Sequence, residues 1–381
     1  MLQDLKVKTR KRLRHFLRNS KVFSPIRLDR FVEIAGSRDF FENYHTLRPA
    51  ENDISLVPTE NDQRFLQVSK YFRDGSYSRP EIYTCEVPDA VYHTGSGLVC
   101  TKEFAAIGDS QMTYRLPWCL PFNWFKPIRV EYLPGTFATI NNTFWRFWWH
   151  WLVDCLPRIH CLQQAYPDER IVLLMPAEMG STFKSSLESV LPENFEVKYM
   201  PSKSWVKVDR MLLPSYVSTR SNGHVPYEYY DFIRSRVFAS FNLPDRHVQT
   251  ERIYVSRAKA AYRRILNEKH LMELLSLFGF RSVKPETMSF REQVELFHKA
   301  DMVVSAHGSN WGNILFSGKI KILVLYPDRT PNTHIFTMAK ALGQDHHFLT
   351  GEEPSENSDF TVDLAAVRNV LENEMCLTPN T

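Results

Sequence analysis

GFRSVKPETMSFREQVELFHKADMVVSAHGSNWGNILFSGKIKILVLY, residues 279–326, alternates short apolar runs with amphipathic stretches. FRSV at 280–283 reads as a strand. Phe290, Val294 and Phe297 stripe a helix, MVVSA at 302–306 reads as a second strand, and ILVLY at 322–326 as a third. A stripe recurring every three to four residues is one face of a helix, and a short continuous apolar run fits a strand buried on both faces. Upstream, IYVS at 253–256 reads as one more strand. Leu271, Leu274, Leu275 and Phe278 mark a helix over 267–279, which Gly279 stops. Strands alternating with helices of this length predict βαβ units and a parallel sheet.

Towards the N-terminus the same pattern continues less regularly. Residues 142–164 read as helical, 171–175 (IVLLM) as a buried strand, 182–191 as a helix, 209–214 as a strand and 227–241 as a helix. NLPDRHVQTER, residues 242–252, then reads as an inter-domain linker. Residues 31–140 interleave short apolar runs with Pro, Gly and Asp, which predicts short strands and loops, with no chemistry assignable there. The expected organisation is a basic extension over 1–30, an acceptor-side domain over 31–245, a Rossmann-like domain over 246–350 and a linker and helix over 351–381.

The 381 residues suffice for two domains, and 43% hydrophobic with 24% charged residues excludes a disordered chain. The net charge of +4 is uneven. Residues 1–30 carry ten Lys/Arg and two Asp, a net +8, which leaves −4 for the rest. Leu2, Leu5, Leu13, Phe16 and Leu17 fall on one side of a helix through this segment, with the basic residues largely opposite. That pattern predicts a peripheral contact with an anionic membrane surface. The acidic balance elsewhere argues against nucleic acid as partner. No run approaches the roughly 20 apolar residues of a membrane span. No two of the six cysteines are spaced C-x-x-C, and no secretory leader is visible, so a reducing, cytoplasmic setting is expected.

In open parallel sheets ligands bind beyond the C-terminal ends of the strands, and three segments stand at such places. In SRAKAAYRRILNE, Arg257, Arg263 and Arg264 lie within eight residues, and guanidinium forks suit diphosphate oxygens. Asn267 and Glu268 either bond sugar or ribose hydroxyls or cap the helix that begins there. In AHGSNWGN, residues 306–313, a strand runs into His307 and Gly308, and a helix begins at Ser309 or Asn310. Glycine admits a ligand close to the backbone and a helix start offers N–H groups to an anion. In FWRFWWHWLVDCLPRIH, residues 144–160, His150 and Asp154 stand four apart. That spacing lets a carboxylate hold an imidazole in one tautomer, as a general base requires. Arg158 would continue this face, but Pro157 is expected to kink or end the helix. The tryptophans of this segment read as core rather than a sugar platform. The chain has no D-x-D suited to a metal–diphosphate site, no G-x-G-x-x-G and no P-loop, so the expectation is phosphate neutralised by arginines, with no metal or other cofactor.

In their order, NNTFWRFWWHWLVDCLPRI, IYVSRAKAAYRRILNE and residues 279–316 resemble glycosyltransferase family 61, over about residues 141–327. That family includes bacterial capsule-type enzymes and eukaryotic xylosyl-, arabinosyl- and N-acetylglucosaminyltransferases. The resemblance implies a GT-B-like α/β fold of two Rossmann-like domains facing a cleft, and an inverting transfer without an obligatory metal. The nucleotide-sugar donor would lie in the C-terminal half, and a glycan or lipid-linked acceptor in the N-terminal half. Arg257, Arg263, Asn267, Glu268, His307, Gly308 and Asn313 fall on family motif positions, and His150, Asp154 and Arg158 on the H-W-L-x-D-x-L-P-R pattern. Ser309, Asn310, Trp311 and Gly312 depart from the usual H-G-A-G-L-T-N, and Val324 stands where a Glu is frequent. Asp154 or His150 would be the base, and Arg257, Arg263 and His307 would stabilise the leaving diphosphate. The altered 309–312 segment motivates a rival reading, a non-catalytic nucleotide- or glycan-binding protein of transferase fold in a membrane-associated assembly.

Overall fold

The apolar runs after residue 250 pair as their pattern requires. The computed structural model describes residues 27–32, 41–55, 59–71, 75–111, 129–218, 223–245, 249–327, 331–352 and 356–380. The basic helix expected near the N-terminus falls in residues 1–26, outside the described residues. Strands Arg281–Val283, Glu251–Val255, Ala300–Ala306, Lys321–Tyr326 and Asp345–Thr350 lie side by side in that order, all parallel. Chain order across this sheet is therefore 2-1-3-4-5. The winding reverses between Glu251–Val255 and Ala300–Ala306, and the crevice opened beyond those two strand ends is where such sheets bind ligands. The last strand, Asp345–Thr350, was not legible in the sequence, since its DHHFLT carries no apolar run.

The helices that cross between these strands start and stop on local signals. Ser289 and Glu292 form a capping box that begins Phe290–His298. Gly279, at φ 77°, turns the chain after Glu268–Leu277. The segment after residue 356 closes the outer face of this sheet. Phe360, Val362, Val367 and Leu371 are buried in one cluster with Leu271, Leu275 and Phe278.

The N-terminal residues build a ten-stranded mixed sheet among the described residues. Its parallel part runs Trp205–Pro214, Val130–Ala138, Ile171–Pro176, Phe195–Met200. Antiparallel strands Ile82–Pro88 and Val91–His93 flank Trp205–Pro214 on its other side. Strand Arg27–Val32, which straddles the expected boundary at residue 30, pairs parallel with Ala105–Ile107 at the far edge. One helix of residues 31–140 escaped the sequence reading. Glu60–Val68 lies against the C-terminal sheet, its Phe65 ringed by Tyr326, Phe336, His346 and Phe348, with Asp62 paired to Lys340.

The helical stretch 148–165 packs on the N-terminal sheet, its Pro157–Ala165 part against strands Ile82–Pro88 and Trp205–Pro214, and its start meets the 3-10 helix Ser309–Phe316. Of the two outcomes expected at Pro157, an end is not seen, because helical backbone runs through Leu156 into Pro157; the regular α-helix is interrupted just before it. A π turn spans Trp151–Cys155, with the Leu156 N–H donating to the Trp151 carbonyl at 3.0 Å, and Pro157 opens the α-helical part Pro157–Ala165. The widened turn accommodates the missing proline N–H, and a first-turn position suits proline's fixed φ. Trp145, Trp149 and Trp151 are buried in the core, as expected. The same buried cluster holds Phe290, Trp311, Ile314 and Phe316 from the C-terminal half. Among the described residues no helix is long and apolar enough to cross a membrane. Cys85, Cys100, Cys155 and Cys161 are buried and Cys376 is exposed, all as free thiols.

Candidate functional site

The crevice at the winding reversal is lined by the ends of its two strands. Arg257 follows Glu251–Val255, and His307 with Gly308 follows Ala300–Ala306. The Arg257 guanidinium lies on the Gly308 backbone: a Cβ at residue 308 would sit 2.6 Å from Arg257 Cζ. Gly308 has extended backbone, so glycine is needed here for space and not for its φ. One arm of Arg257 donates to the Tyr262 carbonyl at 3.0 Å, while its buried Nε has no partner among the described residues. Arg263, held at φ 57°, donates to His307 Nδ1 at 2.6 Å. The His307 ring stacks on Tyr326, and its Nε2 lies 3.2 Å from the Asn332 side-chain amide.

This is a concentration of positive charge. Burial pushes the His307 pKa down to about 3, and Arg263, His334 and Arg257 push it in the same direction. Burial also lowers the Arg257 pKa, with Arg263 contributing. The imidazole is therefore neutral at pH 7, with Nδ1 accepting from Arg263. Two guanidiniums converging on a helix start, with a buried N–H left over, form an environment that an anion would relieve.

The remaining predicted donor-side residues divide. Glu268 Oε1 accepts from Tyr254 Oη at 2.8 Å and Ser256 Oγ at 2.7 Å, which fixes it beside the same strand end. Ser309 is half-buried and opens the 3-10 helix Ser309–Phe316. Asn267 precedes the helix Glu268–Leu277, but its side chain makes no cap. It exchanges hydrogen bonds with the backbone of Val362, at 2.8 and 3.1 Å, and so ties the C-terminal segment down. Arg264 pairs with the buried Asp359. Asn313 is fully buried; it accepts from Trp148 Nε1 at 2.7 Å and donates to Gln293 at 3.1 Å. Trp311 is core, and Gly312 lets the 3-10 helix approach the stretch 148–155, where an added Cβ would meet Leu152 Cδ1 at 3.1 Å. The segment that departs from the family pattern is thus a packing seam between the halves.

Across that seam stands the second group. His150 Nδ1 is 2.6 Å from Asp154 Oδ2, with the Asp154 side chain 4% exposed and that of His150 31%. The buried carboxylate accepts Nδ1–H, which leaves the Nε2 lone pair directed away from it. Arg158, one turn further, does not join this pair. It is fully buried, donates to the carbonyls of Pro214 and Asn141, and lies over the Tyr216 ring. It clamps the ends of the strands on which the helix rests. Two residues of the crevice escaped the sequence reading. Asn332 and His334 follow strand Lys321–Tyr326, so the strand-end rule that singled out Arg257 and His307 points to PNTH at 331–334 as well.

Residues 148–324 match the family model described as Glycosyltransferase 61. Over that stretch the chain is similar to the glycosyltransferase 61 family. The match spans both groups, from the helix that bears His150 and Asp154 to the strand after His307 and Gly308. No curated protein matches the chain. A glycosyltransferase 61 domain indicates transfer of a sugar from a donor to a glycan acceptor.

Proposed function

We propose that this protein is an inverting glycosyltransferase of GT-B-like, two-domain arrangement, which moves a sugar from a nucleotide-sugar donor to a glycan or lipid-linked acceptor hydroxyl. The observation that carries this is the Arg257–Arg263–His307–Gly308 cluster at the winding reversal, joined across the 309–316 seam to the His150–Asp154 pair. The donor diphosphate is held by Arg257 and Arg263 and the N–H groups of Gly308 and Ser309, with neutral His307 positioning Arg263. Glu268, fixed by Tyr254 and Ser256, meets a donor hydroxyl. No metal is required by this arrangement, because the arginines neutralise the leaving group. His150 is the base and Asp154 its orienting partner, since Asp154 is buried and its oxygen engaged. The acceptor proton passes to His150 Nε2 as the acceptor oxygen attacks the anomeric carbon and the diphosphate departs from the opposite face. The acceptor side is residues 31–245 and the donor side 246–350. A role in capsule or surface polysaccharide synthesis, at the inner face of a membrane reached through residues 1–30, completes the reading.

The test is a thermal-shift panel of nucleoside diphosphates and nucleotide sugars with EDTA present. A ligand at 100 times its dissociation constant stabilises by about 2.7 kcal/mol. A shift with one base's diphosphate is expected in the wild type and lost in Arg257→Ala. No shift with any nucleotide refutes the donor site.

A further inference from the structure

We propose that Phe147, with Phe144 behind it, is the stacking platform for a pyranose ring of the acceptor glycan, a subsite that rests on the transferase reading above. The aromatic-rich stretch 144–151 divides sharply: Trp145, Trp149 and Trp151 are buried, yet Phe147 is 56% exposed. A single exposed phenylalanine is ordinary by itself. This one is distinguished by its neighbours. Its ring packs edge-on to His150 at 6.3 Å between centroids, and Phe144, half-buried, lies 5.2 Å from His150 and 6.3 Å from Phe147. The two phenyl rings and the imidazole therefore form one continuous surface, open to solvent at Phe147.

The surface is held rigidly. Phe147 N–H donates to the Phe144 carbonyl at 2.9 Å, its own carbonyl accepts from Trp151 N–H at 3.0 Å, and Phe144 N–H donates to the Asn142 side chain at 2.7 Å. Trp148 Nε1, on the next residue, is anchored to buried Asn313. An exposed ring on a fixed backbone offers a flat apolar face without an ordering cost on binding. A pyranose presents a matching face of C–H groups and an equatorial rim of hydroxyls. Stacked on Phe147, it brings that rim towards His150, whose Nε2 has no partner among the described residues and whose Nδ1 is engaged by Asp154. A purely apolar partner would leave that nitrogen unsatisfied, and among the described residues no arginine lies over Phe144 or Phe147 to receive a phosphorylated one, Arg146 lying over Trp145.

The experiment uses the full chain on an array of immobilised oligosaccharides, in the presence of the nucleoside diphosphate that shifts its melting temperature, with the thermal shift repeated for each variant. Wild type is expected to bind pyranose-terminated glycans. Phe147→Ala should weaken that binding about tenfold and Phe147→Trp should retain it, with the nucleotide shift unchanged in all three. Equal glycan binding by Phe147→Ala, or capture of no glycan by nucleotide-loaded wild type, overturns the proposal. Should no nucleotide shift the melting temperature, the array is run without one, and Phe147-dependent glycan binding there would sink the donor reading and leave this subsite standing.

Discussion

Replacing Gly308 with alanine separates a backbone role from a ligand role at the centre of the proposed donor site. Residue 308 has extended backbone, so alanine adopts it without strain. The new methyl would overlap the Arg257 guanidinium, with Cζ 2.6 Å and Nε 3.3 Å away. The guanidinium is the far end of a flexible chain, so it swings aside at a cost to folding under about 1 kcal/mol. What is lost is its reach to the diphosphate. A hydrogen bond to a charged group contributes about 1.5–3 kcal/mol, so nucleoside diphosphate affinity should fall about 10- to 150-fold. Isothermal titration calorimetry measures this, with urea unfolding as the control for stability. Because both changes act through one side chain, Gly308→Ala with Arg257→Ala should bind no more weakly than Arg257→Ala alone. Affinity within twofold of wild type in Gly308→Ala, or full additivity in the double variant, would refute the placement of Arg257 on the ligand.

His150→Gln should reduce transfer about 10²- to 10⁴-fold while leaving nucleotide affinity intact, read from initial rates and calorimetry on the same preparation. Asn313→Ala strips partners from Trp148 and Gln293 at a buried seam and should cost about 2–3 kcal/mol in urea unfolding. Arg158→Lys loses the planar fork that serves the Pro214 and Asn141 carbonyls together and should cost about 2–4 kcal/mol by the same measurement. Acid should destabilise the fold through buried His93, whose pKa burial lowers from 6.5 to about 4. The native ring stays neutral while the unfolded one protonates, so its contribution is full above pH 6.5. It then falls by about 1.4 kcal/mol per pH unit down to about pH 4. A smaller loss of stability between pH 7 and 5 in His93→Gln checks the sign.

Much of the candidate site was legible because its signals are local. Apolar runs such as MVVSA and ILVLY announce buried strands, and whatever follows such a strand lies at its C-terminal end, which is how Arg257, His307 and Gly308 could be named. The i, i+4 spacing of His150 and Asp154 holds even through a π turn, and their 2.6 Å contact follows. The same rule, applied after Tyr326, would have reached Asn332 and His334. Residues 31–140 stayed opaque because their strands are short, several of only three residues, and carry too few positions to show a period.

What the sequence by itself determined is therefore the alternation of strands and helices, the charged groups at the strand ends and the resemblance that joins them. Only the tertiary structure decided which of those groups meet. The lateral order 2-1-3-4-5 places the crevice between two particular strands, and no periodicity encodes lateral order. Helix Glu60–Val68 docks on a strand 285 residues away from Asn61, through contacts that exist only once both elements have formed. Asn267, Asn313 and Arg158 looked alike in the sequence as polar residues at motif positions. Arg158 and Asn313 are fully buried and Asn267 half-buried, and all three bond backbone carbonyls or facing side chains, because a polar group taken from water must find its partner wherever the packing supplies one.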